Sequence, residues 1–216
     1  MRKIEIVYRY LIERILADKK TKFVGREIAR ELGISPNTIS NAIAPLKRSG
    51  AADVHKRYFE VTNLEKTLAY WAVNRQLEKD IVYKTYVAVK NVDEIEKRMP
   101  SEIAYTCCSG YKNIFGNDVS DYGKVYVYAA ESALIEIKRR FPERRLSAKV
   151  EGSNLFVLSP DSILESMILS GKLEHSSVQL SQLYVDLWNT SEWYSYEFLK
   201  RLGKKIDDKY GEIILE

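Results

Sequence analysis

Asn37, Asn41 and Arg48 are spaced to share one face of a helix, and their types suit the reading of base edges. Asparagine can pair two-pronged with adenine and arginine with guanine. Ser35, Thr38, Ser40 and Lys47 flank them and offer small hydroxyls and an ammonium to bases or phosphates. At about 100° per residue, Asn37, Asn41, Ala44 and Arg48 point opposite a stripe of Ile39, Ile43 and Leu46. A second basic group, His55, Lys56 and Arg57, lies between two short apolar segments, where a hairpin tip would suit phosphate contact or minor-groove insertion. The plain alternative for both groups is a polar surface that only meets water.

The surrounding residues indicate how these side chains are held. Ile28, Ala29 and Leu32 give a first helix one apolar face, Gly33 supplies the freedom of a tight turn, and Ile34 packs that turn inward. Ser35 followed by Pro36 is a helix start. Pro45 removes a backbone donor and crowds the carbonyl of Asn41. It therefore predicts a kink near Asn41–Pro45 and shifts the expected base contacts toward Asn37, Thr38 and Asn41. Ile4, Val7, Tyr8, Leu11 and Ile15 form a stripe on an N-terminal helix that covers the other two. Ala51–Val54 and Tyr58–Thr62 read as a short hairpin, and Lys19, Lys20 and Lys22 fall in the first interhelical connection. Together these features predict a winged helix-turn-helix over residues 1–78, with duplex DNA as partner.

The charge is divided accordingly. Residues 1–75 hold 15 Lys+Arg and 8 Asp+Glu, a net of +7, whereas residues 76–216 hold 19 and 22, a net of −3. A basic module joined to a slightly acidic remainder fits DNA binding by the first part alone. No run of about 20 apolar residues is present, which argues against a membrane span. The N-terminus alternates charged and apolar residues and does not read as a secretory signal. Cys107 and Cys108 are the only cysteines, and with His55 and His175 they give no zinc spacing. These features point to the cytoplasm.

Thr62-Asn-Leu-Glu65 reads as a capping box that opens a helix running to about Lys79, with Leu64, Leu68, Trp71 and Arg75 on one side. That side can pack on its own chain, bridge two domains, or form a dimer seam. Residues 79–216 read as an α+β domain. Strands are expected over Lys84–Val89, Ile103–Cys107, Val125–Ala129, Leu146–Glu151 and Leu155–Leu158. A short helix is expected from Asn91, others over Ser132–Phe141, Ser162–Leu169, Val178–Trp188 and Trp193–Asp208. Ser109-Gly110-Tyr111-Lys112-Asn113 followed by Asp118 and Asp121 invites comparison with nucleotidyltransferases. There, however, the order is Gly-Ser and the carboxylates stand two apart on a strand, so two in-line metal ligands are not read here. The cysteines have no nearby base and are read as buried strand thiols.

Four stretches, CCSGYKNIFG, KVYVYA, LFVLSPDSIL and SSVQLSQLYVDLW, resemble the antitoxins of AbiE type IV toxin–antitoxin systems. The resemblance covers nearly the whole chain, because those proteins also begin with a winged helix-turn-helix. It implies a repressor of its own operon whose second domain has an inactive nucleotidyltransferase-like fold. It also implies a toxin counterpart opposed without a stable complex, no cofactor, no metal and no enzymatic activity of this chain. A homodimer is open, seated on the Leu64–Arg75 helix or on the C-terminal helices. Two other classes stay open: a stand-alone repressor whose second domain senses a ligand, and a nucleotidyltransferase-type enzyme.

Overall fold

An apolar stripe of Val7, Tyr8, Leu11, Ile12 and Ile15 makes Lys3–Asp18 a helix, α1, whose inner face carries the N-terminal core. The computed structural model describes residues 3–143 and 152–210. A two-residue strand, β1 (Lys22–Phe23), leads to α2 (Gly25–Leu32) and α3 (Pro36–Arg48). Gly33 ends α2 at φ 63°, and the Ile34 N–H reaches back to the Ala29 carbonyl at 3.0 Å. A Cβ on Gly33 would meet nothing within 4 Å, so its left-handed backbone, not crowding, accounts for the glycine. Helix α1 packs across α3, and the Tyr8 hydroxyl donates to the Ala42 carbonyl at 3.1 Å inside the core.

The hairpin is present as β2 (Ala52–Val54) and β3 (Phe59–Val61). Within the first interhelical connection, where Lys22 was expected, Lys22–Phe23 adds a third antiparallel strand, and the order is β1-β3-β2. Phe23 draws it there, buried and stacked on Phe59 with centroids 5.7 Å apart. Helix α4 (Leu64–Asn74) is capped by Asn63, whose side-chain oxygen accepts the Lys66 N–H at 2.7 Å. Thr62 is not the cap, because its N–H still extends the hairpin to the Ala51 carbonyl at 3.0 Å. The helix stops before Lys79, since Arg75 is extended and a 3-10 turn, Leu77–Asp80, follows. Leu68, Trp71 and Ala72 are buried within the chain, so the stripe packs on its own protein.

The second sheet contains β4 (Ile81–Thr85), β5 (Ile103–Thr106), β6 (Val125–Ala129) and β7 (Leu155–Leu158) in the order β4-β7-β6-β5. β6 and β7 run parallel, with a helix between them in sequence, and the two outer pairs are antiparallel. The first strand lies earlier than the expected Lys84–Val89, and the expected strand Leu146–Glu151 lies outside the described residues. The helices of this half are α5 (Asp93–Glu96), α6 (Cys107–Phe115), α7 (Glu131–Arg140), α8 (Ser162–Leu169), α9 (Leu180–Trp188) and α10 (Ser195–Tyr210). α6 corrects the sequence reading: the strand ends at Thr106, and both cysteines and Ser109-Gly110 open a helix. Gly110 permits this turn, because a Cβ there would sit 2.9 Å from the Tyr105 carbonyl oxygen. The fold is mixed α and β.

Helix α9 joins the two halves. Ser181 through Leu187 are all buried, and α9 packs against α1, α4, α6, α10 and β5. At its centre lies a buried polar cluster. The Arg75 guanidinium contacts Asp80 at 2.5 Å, Glu5 at 3.2 Å and Asp186 at 3.2 Å, and donates to the Tyr128 hydroxyl at 2.9 Å. Thr106 and Tyr128 each donate to Asp186 at 2.8 Å, as does the Gln182 amide. Burial opposes the Arg75 charge, but Tyr128, Asp186, Glu5 and Asp80 outweigh it and raise the pKa above the ordinary guanidinium value. A second pair, Arg9 with Asp161 at 2.8 Å, lies on the same side of α1. Burial raises the Asp161 pKa, yet Arg9 and the Leu164 and Ile163 N–H groups hold it below its ordinary value.

Candidate nucleic-acid interface

Helix α3 presents two different faces because its apolar residues repeat at helical spacing. Ile39, Ala42, Ile43, Pro45 and Leu46 are buried, whereas Asn37, Ser40, Asn41, Ala44, Lys47 and Arg48 are exposed. Asn37, Asn41 and Arg48 therefore share the solvent face, as the sequence predicted. The structure commits all three flanking hydroxyls, Ser35, Thr38 and Ser40, internally. Ser35 accepts the Thr38 N–H at 3.2 Å and its Oγ lies 2.9 Å from Thr38 Oγ1, while Ser40 Oγ donates to the Pro36 carbonyl at 3.2 Å. Ser35 is thus first a cap, and Ser40 can reach a ligand only by giving up its bond to Pro36.

Helix α3 runs as one helix through Pro45 to Arg48. Pro45 is buried against the core, and its carbonyl still accepts the Ser49 N–H at 3.0 Å. Lys47 and Arg48 consequently continue the same exposed face.

The hairpin tip closes with the His55 N–H donating to the Tyr58 carbonyl at 2.8 Å. The His55 ring stacks on Tyr58, with centroids 4.5 Å apart, and Lys56 and Arg57 stand exposed at the apex. Lys22 lies over the other part of this sheet, 5.9 Å from the Tyr58 ring centroid and 3.9 Å from Glu60. Lys19 is turned away from it, donating to the Tyr210 carbonyl at 2.7 Å. Lys66 of α4, which the sequence reading did not single out, is exposed near this surface. Its ammonium lies 3.8 Å from where a Cβ on Gly50 would be, beside the turn that leaves α3.

The other candidate sites are occupied differently. Asp118 accepts from Tyr111 at 3.0 Å and faces Lys205 at 3.4 Å. Burial raises its pKa, but those hydrogen bonds hold it below the ordinary carboxylate value. Among the described residues no three His, Cys, Asp or Glu side chains stand together as a metal site. Both thiols are buried, and burial pushes Cys107 well above its usual pKa and Cys108 to about 12. An open groove of about 800 Å³ lies beside β4, lined by Glu78, Tyr83, Lys84, Lys138 and Phe156 among others. Among the described residues no helix is long and apolar enough to cross a membrane.

No family model, curated protein or solved structure matches this chain.

Proposed function

We propose that residues 1–78 are a winged helix-turn-helix and that the protein is a sequence-specific, DNA-binding transcriptional regulator. The observation that supports it best is the geometry around α3. A capped helix turns its apolar face onto α1 and leaves Asn37, Asn41 and Arg48 in solvent. Beside it in sequence, a hairpin exposes Lys56 and Arg57. In this reading α3 enters the major groove and the hairpin tip lies on the phosphate backbone. The resemblance to AbiE antitoxins adds autoregulation, a toxin counterpart and a nucleotidyltransferase-like second half to the same proposal.

The test is a fluorescence-anisotropy titration against the duplex upstream of the gene and against random duplex, at several salt concentrations. Specific binding tighter than to random duplex by about 10³-fold or more, and weakening steeply with salt, is the expected result. Equal, salt-insensitive binding, or none, overturns the reading.

A further inference from the structure

We propose that the solvent face of α10 is the seam of a homodimer, formed by two copies of the helix packed antiparallel about a two-fold axis. The inference goes beyond the DNA-binding reading and does not depend on it. Helix α10 buries Phe198, Leu202 and Ile206 against its own chain, and the opposite face carries Tyr196, Glu197, Lys200, Arg201 and Lys204. Tyr196 is 71% exposed, and Trp193, in the turn just before the helix, is 75% exposed. Scattered exposed apolar residues are ordinary, but two large aromatics so close together on one end of a helix call for an occupant. At about 150–250 Å² each, they leave roughly 300 Å² of aromatic side chain in water. That is over a third of the about 800 Å² per partner in a standard interface.

Each face carries one anion and three cations, and one register of a second copy sets the anion against a cation and the other cations against the aromatics. If the dyad passes between Phe198 and Leu199, Glu197 faces Lys200 of the other copy, and Tyr196 faces Arg201. Trp193 then lies toward Lys204 of the other copy. One register thus gives an ion pair and two cation–aromatic contacts, each made twice by symmetry. Lys205, on the flank of this face, is tied to Asp118. Glu197, Lys200, Arg201 and Lys204 have no ion-pair partner among the described residues.

Sedimentation velocity of the whole protein without DNA, over a range of micromolar concentrations, tests this. The expected result is a monomer–dimer equilibrium that Trp193→Ala and Tyr196→Ala weaken about tenfold or more. Glu197→Lys and Lys200→Glu should each weaken it, and the double variant should restore it, since the swap recreates the pair across the dyad. All four positions are solvent-exposed, and circular dichroism confirms that each variant is folded. A protein that is monomeric throughout overturns the proposal, and so does a dimer indifferent to these substitutions. A double variant no better than the singles overturns the antiparallel register. Quenching of tryptophan fluorescence by a single-stranded oligonucleotide bound to a monomer, lost in Trp193→Ala, would assign the face to nucleic acid instead.

Discussion

Asn41 and Lys56 are both exposed polar residues of the candidate interface, yet their chemistry separates them. The Asn41 amide stands on the solvent face of α3 beside Asn37 and matches the donor–acceptor pattern of adenine. Asn41→Ala is therefore expected to cost about 1–3 kcal/mol at one base position and to relax preference there. Lys56 at the hairpin apex offers charge alone, so Lys56→Ala should weaken binding on every sequence and lower the salt slope by about one. Ser40→Ala should do little, because its hydroxyl is already spent on the Pro36 carbonyl at 3.2 Å. Titrations against a panel of single-base operator variants at two salt concentrations distinguish the three outcomes. Loss of affinity without loss of preference in Asn41→Ala would remove that residue from base reading.

Helix α3 depends on its first turn, where Ser35 Oγ accepts the Thr38 N–H at 3.2 Å, a donor it shares with its own carbonyl at 3.0 Å. Ser35→Ala should cost about 1 kcal/mol of stability, and Ser35→Asp should retain it. Urea midpoints of the three proteins check this, and an unchanged Ser35→Ala midpoint would show that the cap contributes nothing. Elements of this kind were legible in the sequence because their signals are local: the Ser-Pro start, the glycine turn and an apolar period within α3. β1 was not legible, since a two-residue strand exists only because Phe23 meets Phe59 across the sheet. The α4 cap was displaced by one residue for a related reason, the hairpin ladder reaching Thr62 before the helix begins. α6 was misread as strand end and loop because its start rests on the close approach of Gly110 to the Tyr105 carbonyl, a contact with no periodic trace. The polar faces of the interface were read from spacing, but the internal use of Ser35 and Ser40 is visible only in three dimensions.

The whole molecule is held by contacts that join its two halves, and Arg75 is central to them. Its guanidinium meets Glu5 of α1, Asp80 before β4, Asp186 of α9 and Tyr128 of β6, all buried, with Asp186 at 111 residues' separation. α1 also carries Tyr8, which holds α3 through the Ala42 carbonyl at 3.1 Å, so α1 links this cluster to the candidate interface. Replacing Arg75 by methionine keeps an apolar stem but removes the guanidinium that three buried carboxylates share, a change expected to cost about 3–5 kcal/mol. The pH dependence gives the more specific check. Burial already raises the Asp186 pKa above its ordinary value, with Arg75, Thr106, Tyr128 and Gln182 opposing that rise. Without Arg75 the folded-state pKa rises further above the unfolded one, so the folded variant binds more protons than the unfolded chain. Its stability then increases as pH falls through the raised folded pKa, and the full gain is present below the ordinary carboxylate range. The deficit of Arg75→Met relative to the parent protein should therefore be largest near neutrality and shrink toward pH 4. Urea unfolding of both proteins across that range measures it. A deficit constant with pH would mean that water reaches these carboxylates once the guanidinium is gone, and that packing around Arg75, not its charge, joins the halves.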